Sequence, residues 1–144
     1  MVEQVSVFLE NSTGRLAELC RALGDAGIDM HALMVADTES FGVVRIICDT
    51  PKRAQEVLEG RGFSVALTPV IAVEVPDRPG GLADVLEALG RDGKNVEYAY
   101  CFVEPSGDSA VDVLKVDDVS AEATLIAGGF SVLSAQDVYV PDRS

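Results

Sequence analysis

Val70–Asp92, VIAVEVPDRPGGLADVLEALGRD, is the stretch whose reading decides the fold. Ile71, Val73 and Val75 alternate with Ala72, Glu74 and Pro76, the period-two pattern of a strand with one buried face. Pro76-Asp77-Arg78-Pro79-Gly80-Gly81 then predicts a sharp turn, because the prolines fix φ and the glycines admit positive φ. Leu82, Val85, Leu86 and Leu89 follow at i, i+3, i+4 and i+7, one apolar stripe of a helix. The same object occurs at Gln4–Ala26. There Val5, Val7 and Leu9 alternate, Glu10-Asn11-Ser12-Thr13-Gly14 turns, and Leu16, Leu19, Cys20 and Leu23 form the stripe.

Working outward, Val7, Gly14, Leu16, Ala17, Ala22, Leu23, Gly24 and Gly27 recur as Val73, Gly80, Leu82, Ala83, Ala88, Leu89, Gly90 and Gly93. Gly62-Phe63-Ser64-Val65 recurs as Gly129-Phe130-Ser131-Val132. An internal duplication follows, with repeats over 1–68 and 69–144. In the first, strands are predicted at Gln4–Glu10, Ile28–Asp37, Gly42–Asp49 and Phe63–Leu67. Helices are predicted at Arg15–Ala26 and after Thr50-Pro51, an N-cap followed by proline at the first helical position. A turn around Glu39-Ser40 joins the middle strands. In the second repeat, strands are predicted at Val70–Pro76, Val96–Glu104, Ala110–Val116 and Phe130–Val140. Helices are predicted at Gly81–Asp92 and Asp118–Ala127, the latter capped by Asp117, and Pro105-Ser106-Gly107-Asp108 lengthens the middle hairpin. Pro141-Asp142-Arg143-Ser144 reads as a frayed tail.

The fold class is therefore α+β: two ferredoxin-like βαββαβ units. Each is expected to have an antiparallel sheet of order 4-1-3-2 with both helices on one face. The second strand of each unit is an unpaired edge, and the two edges are expected to join into one eight-stranded sheet.

Composition excludes several functions. The chain has 144 residues, 48% hydrophobic, with 11 Lys+Arg against 24 Asp+Glu and a net charge of -13. Each repeat has about 70 residues, a size at which an isolated core is marginal, so the halves are expected to dock on each other or on a second chain. The acidic field repels phosphate backbones, so nucleic acid is not an expected partner. No apolar run approaches the ~18 residues of a membrane span, and the start lacks the features of a signal peptide. Cys20, Cys48 and Cys101 have no CxxC spacing and cannot all pair, which fits reduced thiols and a cytoplasmic location.

The two turns resemble a known signature. Glu10-Asn11-Ser12-Thr13-Gly14-Arg15-Leu16 and Pro76-Asp77-Arg78-Pro79-Gly80-Gly81-Leu82 resemble the N/D-x-P-G-x-L motif of ACT domains. Gly27-Ile28-Asp29-Met30 and Gly93-Lys94-Asn95-Val96 resemble the entry to that family's second strand. The resemblance implies a stand-alone tandem ACT protein, a regulatory module binding an amino acid between two copies of the fold. It implies polar contacts from Asn11, Asp29, Asp77 and Asn95. Main-chain contacts would come from Gly14, Arg15 and Leu16, and from Gly80, Gly81 and Leu82, with Met30 and Val96 lining the pocket. Thr13 stands where the signature has proline, and Lys94 where it has an apolar residue.

The chemistry of these residues suits a zwitterion. A helix start offers free N–H donors and partial positive charge to a carboxylate. Short carboxylates and amides accept from an α-ammonium. Asn11 and Asp77 equally suit helix caps or Asx turns. His31, the sole histidine, aligns with Glu97, and no catalytic or metal cluster is expected around it. Cys20, Cys48 and Cys101 read as core residues. Tyr98, Tyr100 and Phe102, alternating on one strand face, read as packing rather than a cofactor site.

No P-loop, dinucleotide-binding or zinc-protease motif occurs, and no nucleophile–base pair is evident. The expected function is a non-enzymatic, allosteric amino-acid sensor without cofactor or metal, dimeric, acting on a regulated enzyme partner. A ligand-free dimerisation scaffold and a small ferredoxin-like enzyme are the alternatives.

Overall fold

A computed structural model describes residues 1–37, 41–103 and 108–143. The first repeat forms β1 (Val2–Glu10), α1 (Arg15–Asp25), β2 (Met30–Asp37), β3 (Phe41–Cys48) and α2 (Pro51–Gly60), and leads into β4 (Ser64–Pro76). The second adds α3 (Gly81–Arg91), β5 (Val96–Val103), β6 (Ser109–Val116), α4 (Ala121–Ala127), β7 (Ser131–Leu133) and α5 (Ala135–Val138). The turn expected at Glu39-Ser40 and most of the loop expected at Pro105-Ser106-Gly107-Asp108 lie outside the described residues.

The two βαββαβ units are present. β1 lies between β3 and β4, with β2 beyond β3; β4 likewise takes β6 and β7 as neighbours, with β5 beyond β6. Pairing is antiparallel, as in Val7 opposite Val44 and Val73 opposite Asp112. Among the described residues the strand count is seven rather than the expected eight. Thr68-Pro69 does not separate two strands: β4 runs 13 residues through it and serves both repeats. Proline's fixed φ is compatible with extended backbone, so it punctuates the sequence without breaking the strand. β2 and β5 stand at opposite ends of the strand order, so the expected joining of these two edges is not met.

The chain divides into two compact units. One holds Glu3–Thr68 and the segment from Val138 onward; the other holds Pro69–Asp137 and Met1–Val2. In the first, the α1 stripe (Leu19, Leu23) and Leu58 of α2 pack on Val5, Val7, Val44 and Ile46. In the second, Val85, Leu89 and Leu125 pack on Ile71, Val73 and Leu114. All thirteen side chains are essentially fully buried. Each is worth roughly 1.5–3 kcal/mol of transfer free energy.

The C-terminal segment departs from expectation. The strand predicted over Phe130–Val140 stops at Leu133, because the Asp137 carboxylate accepts from both the N–H and the hydroxyl of Ser134 at 2.9 Å and starts α5. Beyond it the chain is anchored rather than frayed. Tyr139 is 6% exposed, and its hydroxyl accepts from the Glu3 N–H at 3.0 Å. The Thr50 N–H donates to the Val140 carbonyl at 2.7 Å. The Asp142 carboxylate accepts from the N–H groups of Lys52 (2.9 Å) and Arg53 (3.0 Å) in the first turn of α2. Asp142 thus performs the capping expected of Thr50, which adopts φ 42° and makes no side-chain cap bond. α4 starts at Ala121, after Asp118 accepts from the Ser120 N–H at 2.9 Å; Asp117 does not cap it. Among the described residues no helix is long and apolar enough to cross a membrane.

Candidate functional site

Both helices of the duplicated stretch open on a left-handed glycine: Gly14 at φ 88° and Gly80 at φ 86°. Any side chain there would be strained. Neither helix start has a side-chain cap, and among the described residues Asn11 and Asp77 form no side-chain hydrogen bond. The purely local role of these two residues as caps is therefore not realised. Gly81 is glycine for a different reason. A Cβ there would sit 2.9 Å from the Pro76 carbonyl oxygen, so the turn itself excludes one.

Each start borders a cleft. In the first unit, a cleft of about 400 Å³ is lined by Gly14, Glu18, Arg21, Arg61 and Phe63. In the second, one of about 390 Å³ is lined by Arg78, Gly81, Asp84, Gly129 and Phe130. Phe63 and Phe130 are repeat equivalents, as are Glu18 and Asp84. Charge pairs edge both clefts. Arg15 bonds Glu18 at 2.7 Å and lies 4.4 Å over the Phe63 ring, while Arg78 bonds Asp84 at 2.7 Å. On the other side of the first turn, Asn11 and Leu16 share a cleft of about 110 Å³ with Val35.

Of the remaining expected site residues, Asp77, Asp29 and Asn95 are exposed, Leu82 is exposed just past its glycine, and Met30 and Val96 are half-buried at the strand starts. Lys94 is tied at 2.8 Å to Asp118. The hydrogen bond that Lys94 donates to Asp118 outweighs desolvation and raises the Lys94 pKa, while Lys94 and Ser120 together hold Asp118 well below the usual carboxylate range.

Asp29 has neighbours that sequence reasoning did not assemble. Asp29, His31 and Asp49 offer ligand-type atoms all within 4.8 Å of one another, contrary to the expectation that no cluster forms around His31. The cause is a β-bulge. The β2–β3 register shifts between Met30 and Ala32, leaving His31 as the extra residue, and a bulge re-aims the side chain it carries. His31 Nε2 lies 2.8 Å from Asp49 Oδ1, which also accepts from the Val140 N–H at 2.8 Å. Desolvation pushes the Asp49 pKa up, but the bonds from Val140 and His31 prevail and hold it below its ordinary value.

Of the cysteines, Cys48 is buried and Cys20 packs against the first core, whereas Cys101 is exposed rather than a core residue. Tyr98, Tyr100 and Phe102 share one half-buried face of β5.

A model of the ACT domain pair matches residues 1–137. Among solved structures, the chain is similar to protein BT0572 from Bacteroides thetaiotaomicron. The two are 33% identical over 95% of this chain and 94% of that one, with a TM-score of 0.90. It is also similar to the regulatory subunit of aspartate kinase from Thermus thermophilus in its ligand-free form, at 20% identity, 88% and 90% coverage and a TM-score of 0.68. The corresponding subunit from Thermus flavus gives 20% identity, 87% and 88% coverage and a TM-score of 0.63. No curated protein matches the chain. A pair of βαββαβ units, two glycine-opened helix starts and a family match over nearly the whole length have one reading: the chain belongs to the ACT domain pair family.

Proposed function

We propose that this ACT pair senses a free amino acid and passes its occupancy to an enzyme partner. The observation that carries the reading is the duplicated helix start, a left-handed glycine followed by first-turn N–H groups without a side-chain cap. Such a start accepts a carboxylate through main-chain donors and the helix dipole. Gly14, Arg15 and Leu16, and Gly80, Gly81 and Leu82, would hold that end. Asn11, Asp29, Asp77 and Asn95 would accept from the ammonium, with Met30 and Val96 against the side chain. Three or four charge-assisted hydrogen bonds at roughly 1.5–3 kcal/mol each reach micromolar affinity once ordering costs are met. Because the two ends of the ligand meet different copies of the fold, binding and interface geometry share one free energy, the requirement for allostery. The Thermus thermophilus relative is a regulatory subunit of aspartate kinase, which supports an enzyme as the regulated partner. A homodimer in the cytoplasm completes the reading.

Thermal unfolding against the proteinogenic amino acids at millimolar concentration tests it. One or a few should raise the midpoint, since a ligand that binds the native state must stabilise it. Asn11→Ala and Asp77→Ala should each reduce that gain while leaving the unliganded midpoint in place. A flat response to every amino acid overturns the sensor. It would favour a ligand-free dimerisation scaffold, the reading that the exposed Phe8 (54%) and Phe41 (58%) support.

A further inference from the structure

The duplication provides an internal control for the Asp29–His31–Asp49 cluster. β5 carries the same bulge as β2, with its register shifting between Val96 and Tyr98, so Glu97 holds the place of His31. Val116 pairs with Val96 as Cys48 pairs with Met30, which makes Asp117 the equivalent of Asp49 and Lys115 the equivalent of Ile47. In the second repeat the Lys115 ammonium lies 3.2 Å from Glu97 and 3.5 Å from Asp117. The protein's own cation thus neutralises that carboxylate pair. In the first repeat Ile47 is fully buried and supplies no charge, and among the described residues no lysine or arginine pairs with Asp29 or Asp49. Asp29 itself makes no side-chain hydrogen bond there. Two carboxylates and one imidazole therefore converge where the other repeat places a cation.

We infer that Asp29, His31 and Asp49 form a binding site for a divalent first-row transition-metal ion. One imidazole nitrogen and two carboxylate oxygens on one side of an ion, with the remaining positions open to water, suit zinc, cobalt or manganese. Atoms within 4.8 Å of one another need only small rotamer changes to reach metal–ligand distances of about 2.0–2.2 Å. The ion replaces the direct His31–Asp49 contact, and the imidazole must be neutral to bind it. The site shares Asp29 with the proposed amino-acid contacts, but its test contains no amino acid, and either reading can fail alone.

The sole histidine makes the test direct. Metal-free Cys101→Ser protein, which lacks the exposed thiol, is titrated with cobalt(II) chloride at a pH where the imidazole is neutral. The imidazole C–H resonances are followed by NMR and the heat of binding by calorimetry. One ion per chain, large paramagnetic displacement of the His31 signals, and at least tenfold weaker binding in Asp29→Asn and His31→Gln are the expected results. Asp29→Asn should fold normally, because that exposed side chain holds nothing in place. Undisturbed His31 resonances at several equivalents, or equal affinity in both variants, overturn the site.

Discussion

Asp112 offers a test of how the second core is built, through the substitution Asp112→Val. Asp112 is 2% exposed in the middle of β6, opposite Val73 of β4. It shares a strand face with Ala110, Leu114 and Val116, the residues that pack under α3 and α4. Its Oδ2 has no hydrogen-bond partner, and desolvation raises its pKa above the ordinary value. In the first unit the equivalent pair is Val7 and Val44, both fully buried, so the fold accepts valine at this register. Removing an unpartnered buried oxygen releases roughly 1–3 kcal/mol. A buried valine adds up to roughly 1.5 kcal/mol of apolar transfer, against which strain from a larger group takes about 1 kcal/mol. The net expectation is a gain of about 1–3 kcal/mol at neutral pH, at roughly 2–4 °C in midpoint per kcal/mol for a chain near this size. The sign of the pH dependence follows from the raised pKa. The protonated acid is the form the fold prefers, so the native chain suffers no ionisation penalty below the unfolded pKa. It loses stability as pH rises through the folded pKa. The advantage of Asp112→Val should therefore be smallest near about pH 4 and grow towards neutrality. Calorimetric melts of both proteins across that range measure it. A lower midpoint for the variant, or a gain that does not change with pH, refutes the reasoning.

Three further outcomes are expected. Asp142→Ala removes the acceptor for the first-turn N–H groups of α2 and should cost about 0.5–2 kcal/mol, read as a lower urea midpoint with unchanged m-value. Native protein should label at Cys101 with a thiol reagent while Cys48 stays unmodified. Cys48 is buried, and desolvation, with lesser contributions from Asp49 and Asp142, raises its pKa to about 12; mass spectrometry after brief labelling checks it. Asp118, held below its ordinary pKa by Lys94 and Ser120, contributes stability that is present above the unfolded pKa and lost as pH falls through the folded one. The stability difference from Asp118→Asn should accordingly shrink in acid, which melts at descending pH would show.

What the sequence reveals and what it hides divide along one physical line, the range over which the determining contacts act. The strand–turn–helix units were legible because periodicity and glycine turns are local, and the duplication presents each of them twice. The continuity of β4 was not, because Thr68-Pro69 has the local look of a boundary while pairing with neighbouring strands decides otherwise. Asp142 reaches the start of α2 across 90 residues, and nothing in Pro141-Asp142-Arg143 announces that destination. The Asp29–His31–Asp49 cluster is intermediate: Asp49 lies only 18 residues from His31, but a bulge makes them face each other, and a bulge has no residue signature here. Once register is known, the repeats can be aligned strand by strand, and Ile47 against Lys115 becomes the informative difference. The Glu97–Asp117 pair of the second repeat carries its own cation in Lys115, whereas among the described residues the equivalent His31–Asp49 pair of the first repeat has no lysine beside it. Asp29 adds a second carboxylate there, which makes the first repeat the place to look for a bound ion.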